Sequence, residues 1–203
     1  MKDIYPTVDN FQRFEVEIKR SRFIASIESV EGRTQALKFI QLIRSEMPTA
    51  SHHCWAFVAG VPDDVNAYDQ SDDGEPKGSA GKPMLNVLLH SGFGNTAVVV
   101  TRYFGGIKLG AGGLMRVYAS SVSEALKRAK TAQKYIHLPV LVKFPYDLQG
   151  RIDFFLGAQK VVVAEKIFSE VICYQLQVPQ SKFESTCRSL IDMTQGRLEI
   201  IDT

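Results

Sequence analysis

RYFGGIKLGAGGL, residues 102–114, carries five glycines in nine positions: Gly105, Gly106, Gly110, Gly112 and Gly113. An apolar run, residues 97–100, precedes it, and an amphipathic run begins at Leu114. A buried strand therefore turns through glycine-rich backbone into the amino end of a helix. Such a junction has two physical uses. Glycine lets two backbones approach closely and takes positive φ without strain. The junction also leaves N–H groups free at a helix amino terminus, where the dipole favours an anion. Arg102, Lys108 and Arg116 bracket it with positive charge. Phosphate recognition and close helix–sheet packing account for this composition about equally well. The spacing matches neither the dinucleotide GxGxxG pattern nor a Walker A loop.

Outward from the junction, strand and helix periods alternate. Residues 11–28 read as two strands or one bent strand, interrupted by the basic KRSR at 19–22. Alone, that short basic turn is a weak nucleic-acid signal. A helix is expected over about 33–47, with Ala36, Phe39, Ile40, Ile43 and Met47 at helical spacing and Pro48 as its stop. HHCWAFVAG, residues 52–60, is a further strand. Residues 61–82 read as one long irregular segment, polar and rich in Asp and Gly. A short helix with Pro83 in its first turn follows, ended by Gly92 and Gly94. Then come the strand at 96–104 and a helix over about 113–130.

Residues 131–135, TAQKY, look like a linker. Beyond it, Leu138, Val140, Val142 and Phe144 alternate as a strand, and Leu148, Ile152, Phe155 and Leu156 form a helix stripe. Residues 160–168 and 171–178 suggest a hairpin. Ser181 and Glu184 have capping-box spacing for a helix that Gly196 ends, and Leu198 and Ile200 close the chain as a strand. The order is βαββαβ, the ferredoxin-like split motif. The expected fold class is α+β with two domains, 1–132 and 136–203.

Bulk composition narrows the class without naming a function. Hydrophobic residues are 45% and charged residues 23% of 203, with a formal net charge of +2. These values argue against a polybasic tail and against a strongly acidic protein. Three scattered cysteines, Cys54, Cys173 and Cys187, make no CxxC pair and suggest a reducing compartment. No run has the length of a signal-peptide core or a membrane span, so the expectation is a cytoplasmic protein with no membrane partner.

The acidic segment offers a second wall for the glycine junction. Asp69, Ser71 and Asp73 before Gly74 imitate the opening of a calcium loop, but the position needing a bidentate Glu holds Ala80. Asp72, Asp73 and Glu75 leave a weak Mg²⁺ site open, against the alternative of a solvated loop, so no metal is assigned. Gly74, Gly78 and Gly81 suggest a lid, with Lys77 and Lys82 among them. On a strand, His52 and Cys54 share one face, and His53 and Trp55 the other. Cys54 beside His52 could be a thiolate with its base, but a buried cysteine with structural histidines is favoured. His53 is placed to hydrogen-bond into the acidic loop.

SRFIASI (21–27), HHCWAFVAG (52–60), SDDGEPKGSAGKPML (71–85) and VVVTRYFGGIKLGAGGLMRVYASS (98–121) together closely resemble the YigZ/IMPACT family. The family signature falls on Arg102, Tyr103, Phe104, Gly105, Gly106, Leu109 and Gly110, and the resemblance covers nearly the whole chain in the two-domain bacterial layout. It implies an N-terminal domain of the kind found in elongation factor G domain IV and a small-subunit ribosomal protein. It implies a ferredoxin-like C-terminal domain similar to elongation factor G domain V. Eukaryotic members regulate translation by competing with a starvation-sensing kinase for its activator, a pathway that bacteria lack. The family supplies no established catalytic residues to carry over, and no cofactor is expected for this chain.

The expected function is therefore non-enzymatic and translation-associated: binding of RNA, the ribosome or a protein partner. Arg102, Gly105, Gly106, Lys108, Gly110, Gly112, Gly113 and Arg116 would form the phosphate-binding surface. The alternative is a phosphate-handling enzyme with Mg²⁺ held at the DDGE loop, an analogy of fold with small-molecule kinases.

Overall fold

The structure is a computed structural model that describes residues 4–159 and 161–201. Lys160, the first residue of the expected hairpin, lies outside the described residues, as do 1–3 and 202–203. The architecture is α+β in two compact units, one of Tyr5–Lys134 and one in which Ile4 joins the residues from Tyr135 onward.

The first unit is built on β2 (Gln12–Ile18), β3 (Ser21–Ser29), β4 (His52–Val58), β5 (Tyr68–Ser71) and β6 (Thr96–Tyr103). They form one sheet in the order β2-β3-β6-β4-β5, antiparallel throughout. Period-two alternation gives the sheet two apolar faces. Phe23, Ala25, Ile27, Cys54, Ala56, Val98 and Val100 point to one, where α2 (Gly81–Ser91) and α3 (Ala111–Arg128) cover them. Ile24, Phe57, Ala97 and Val99 point to the other, under α1 (Gly32–Glu46) through Ala36, Phe39, Ile40 and Ile43. A strand buried on both faces reads as an unbroken apolar run, which explains residues 97–100.

Three sequence expectations in this unit need correction. The segment 61–82 is not wholly irregular. It contains β5, whose Tyr68–Ser71 pairs with Val58–Trp55 of β4. Its polar composition hid it, because an edge strand can be stabilised by backbone pairing alone. Residues 131–135 are not a linker but β7 (Thr131–Tyr135), which pairs with β1 (Ile4–Val8). Helix α3 begins at Ala111, so Gly112 and Gly113 lie in its first turn.

The second unit runs β8 (His137–Phe144), α4 (Gln149–Gln159), β9 (Val162–Phe168), β10 (Ile172–Pro179), α5 (Phe183–Met193) and β11 (Glu199–Ile201). Its sheet order is β11-β8-β10-β9, again antiparallel. Val140, Val142, Phe144, Ile172, Tyr174, Leu176 and Val178 face a core closed by Ile152, Leu156 and Leu190. Phe144 and Tyr174 meet edge to face at 4.9 Å. Helix α5 is capped one residue after the expected capping serine. A 3-10 turn, Gln180–Lys182, occupies Ser181, and the N-cap residue is Lys182. Among the described residues no helix is long and apolar enough to cross a membrane.

Candidate functional site

The site grows from the end of β6. After Tyr103 the chain passes behind the β2–β3 turn, where a Cβ on Gly105 would stand 1.9 Å from the Arg20 carbonyl oxygen. Only glycine fits there. The Gly105 N–H donates to Ser21 Oγ at 3.1 Å, which ties the loop to β3. Lys19 and Arg20 form that turn with φ of 49° and 62°, the positive pair that a two-residue hairpin requires. Arg22 is held by Glu15 at 2.7 Å. The KRSR run is thus largely turn geometry plus one surface ion pair.

Gly110 is the N-cap of α3 at φ 72°, with no side-chain cap and no acidic residue in the first turn. The first intrahelical bond comes from Leu114 N–H to the Gly110 carbonyl at 2.9 Å. The N–H groups of Ala111, Gly112 and Gly113 therefore have no intrahelical acceptor. Gly110 and Ala111, at the start of that turn, line a cleft of about 490 Å³ together with His52, Glu75, Arg102, Phe104 and Lys108, whereas Gly112 and Gly113 do not line it.

Arg102 is not a free surface cation. It is 5% exposed. Its guanidinium binds Glu75 Oε1 at 2.6 Å, and its Cζ lies 5.4 Å from the Phe23 ring centroid and 5.3 Å from that of Phe104. The Tyr118 hydroxyl donates to the same Glu75 oxygen at 2.8 Å. Burial, then the neighbouring Cys54 and Glu75, push the Tyr118 phenol far above its usual range. Sequence analysis missed Tyr118. Its signal is a tyrosine within an otherwise apolar helix stripe, because a buried tyrosine usually needs a hydrogen-bond partner.

The acidic loop serves as a frame. Asp72 accepts N–H bonds from Gly78, Ala80 and Gly81 at 2.7, 3.0 and 2.9 Å. Asp73, at φ 42°, accepts the His53 backbone N–H at 2.7 Å and the Arg44 guanidinium at 2.7 Å. Gly74 sits against the His52 ring at φ 85°. The three carboxylates that left a weak Mg²⁺ site open are engaged with protein groups. Asp72, Asp73 and Glu75 each serve a different set of partners, and no metal-binding group of three His, Cys, Asp or Glu side chains forms among the described residues.

His53 hydrogen-bonds into the acidic loop through its backbone N–H, while the two imidazole rings lie on opposite faces of β4. His53 points to the α1 face, buried, with Nδ1 3.1 Å from Thr101 Oγ1. His52 lines the cleft. Cys54 is buried with its Sγ 2.9 Å from the Asp72 carbonyl, and burial pushes the thiol up to about 12. That removes the thiolate option. Lys82 and Arg116 line a different groove, of about 820 Å³, between α2 and α3. Lys77 is exposed on the loop. Of the expected phosphate-binding cations, only Lys108 and the paired Arg102 reach the cleft.

Residues 19–126 match the Impact N-terminal domain, and 142–197 match a domain of unknown function, DUF1949. The chain belongs to the IMPACT family. It is 37% identical over 185 residues to the IMPACT family member YigZ of Escherichia coli, covering 91% of each chain. It is 36% identical over 196 residues to the IMPACT family member YvyE of Bacillus subtilis, covering 97% of this chain and 89% of that one. A crystal structure described as a hypothetical protein superposes with a TM-score of 0.77 at 34% identity, covering 100% of this chain and 98% of the other. In this IMPACT family member the cleft lies wholly within the matched N-terminal region.

Two buried groups predict how this family member responds to acid. Burial holds the His53 imidazole below its ordinary 6.5, outweighing the nearby Asp73. Burial would raise Asp72, but its three backbone donors outweigh that and hold it below 3.8. In both cases the unfolded chain takes up the proton first as pH falls. Stability is therefore full above pH 6.5, declines below it through His53, and declines again below 3.8 through Asp72. Urea midpoints should trace these two descents. His53→Asn should flatten the first and Asp72→Asn the second, and unchanged slopes would refute the assignment.

Proposed function

We propose that this chain is a non-enzymatic, translation-associated protein of the cytoplasm that binds RNA backbone phosphate at the amino end of α3. The observation that carries this is the uncapped first turn after Gly110, opening with Lys108 onto the cleft. Free N–H groups at a helix amino terminus favour negative charge by geometry and dipole together. Phe104 and Ile107, 48% and 40% exposed, flank the loop with apolar surface on which an unstacked base can rest. Family membership is consistent with a translation-associated role in general.

The finer fold assignment is part of the same proposal. The first unit is of the elongation factor G domain IV type and the second is ferredoxin-like. The βαββαβ succession and the sheet order β11-β8-β10-β9 support the latter. Arg116 and Lys82, in the neighbouring groove, extend the basic surface beyond the cleft.

Fluorescence anisotropy of a labelled structured RNA across a salt series tests the proposal. Binding should weaken steeply with salt, and Lys108→Ala should lower the log–log slope by about one. Absence of binding even at low salt would overturn it.

A further inference from the structure

We infer that Glu75 and His52 form a ribose-reading wall in this cleft, so that the protein selects RNA over DNA through the 2′-hydroxyl. The inference rests on the phosphate site proposed above and adds what its neighbour must carry. The Glu75 side chain is 3% exposed. Its Oε1 is occupied by Arg102 and Tyr118, whereas its Oε2 accepts no hydrogen bond from any described residue. Arg102, which shares the cleft, keeps a buried Nε with no acceptor. Oε2 is not sealed off from the cleft that Glu75 lines, so a ligand that supplies a donor can pair with it, while Arg102 Nε is fully buried.

His52 adds a second acceptor. Its Nδ1 lies 2.9 Å from the Asp73 carbonyl oxygen. A carbonyl can only accept, so Nδ1 carries a proton, and in the tautomer protonated there Nε2 is the acceptor. That Nε2 is 4.0 Å from Glu75 Oε2, too far for a hydrogen bond between them. The cleft therefore combines donors, at the start of α3 and on Lys108, with two acceptors that need a donor.

A phosphodiester is fully ionised and offers no proton to Glu75. A hydroxyl next to it does. The ribose–phosphate unit of RNA carries both groups side by side, and the unit of DNA lacks the hydroxyl. A site built to hydrogen-bond a hydroxyl discriminates strongly against the analogue without it, because its buried acceptor is then left unpaired. A cleft of about 490 Å³ is large enough for such a unit.

The full chain is titrated with labelled single-stranded RNA, DNA of the same sequence and the 2′-O-methyl RNA. Wild type is compared with Glu75→Gln and with His52→Ala, the latter replacing a side chain that remains 25% exposed. Unlabelled RNA and a ribonucleoside monophosphate serve as competitors. Wild type should prefer RNA to both other polymers by roughly tenfold to a hundredfold, the range of one hydrogen bond to a charged group. Either variant should shrink that ratio while leaving DNA affinity nearly unchanged. Salt-sensitive binding of RNA and DNA with equal affinity would overturn the ribose wall and leave the phosphate site standing. Loss of binding to every polymer would overturn both. A ratio unchanged in both variants would overturn the residue assignment. A monophosphate that competes as well as unlabelled RNA would show that a small metabolite, not the polymer, is the ligand.

Discussion

Glu75→Ala is expected to destabilise the first unit by about 3–5 kcal/mol, because it leaves the Arg102 guanidinium buried and uncompensated. The partners are 6% and 3% exposed at their side chains, so solvent screening gives little relief. The same change removes the carboxylate to which the Tyr118 hydroxyl donates at 2.8 Å. Arg102→Ala should be comparably harmful. The double variant Glu75→Leu/Arg102→Met should recover most of the loss, since apolar replacement of a whole buried pair is often neutral or better. Urea denaturation of the four proteins decides the matter. If the single variants lose less than about 1 kcal/mol, the pair behaves like an exposed bridge and the burial argument fails.

Gly105→Ala and Gly112→Ala should move stability in opposite directions, although both lie in the same glycine-rich run. A Cβ at Gly105 would meet the Arg20 carbonyl oxygen at 1.9 Å, the Arg20 carbonyl carbon at 2.1 Å and the Ser21 nitrogen at 2.6 Å. All three are backbone atoms of a paired hairpin, so no side chain can swing aside. The expected cost is about 3 kcal/mol or more, at the upper end of overpacking effects. A Cβ at Gly112 meets nothing within 4 Å, and the residue is helical. Alanine there should stabilise the fold by up to about 1 kcal/mol through helix propensity. Thermal midpoints of the two variants give the test. A neutral Gly105→Ala would mean that the loop does not press on the β2–β3 turn.

These two predictions divide the glycine run into parts that its composition treats alike. Gly105 answers to packing, and Gly110 to the helix start it caps at φ 72°. Which glycine does which depends on the β2–β3 turn, more than eighty residues earlier in the chain. Local pattern carries no record of that approach.

The long periodic elements were legible for a simple reason. Alternation along β8 and β10, the apolar run of β6, and the apolar stripes of α1, α3 and α5 are imposed by burial on the residues themselves. The two-part α+β architecture was readable on the same grounds, whereas the signature at 102–110 was readable only as a resemblance to a known family. Strands β1, β5 and β7 were not, because polar or short strands are held by backbone pairing, which leaves little trace in side-chain type.

The candidate site divides in the same way. Sequence alone located the glycine junction and the acidic segment and suggested that they face one another. Tertiary structure decided the roles. It buried Arg102 against Glu75, used Asp72 and Asp73 to hold backbone, and turned His52 rather than His53 into the cleft. A charged residue looks the same in a sequence whether it is solvated or paired. Its partner, its burial and therefore its chemistry are fixed only when distant segments pack.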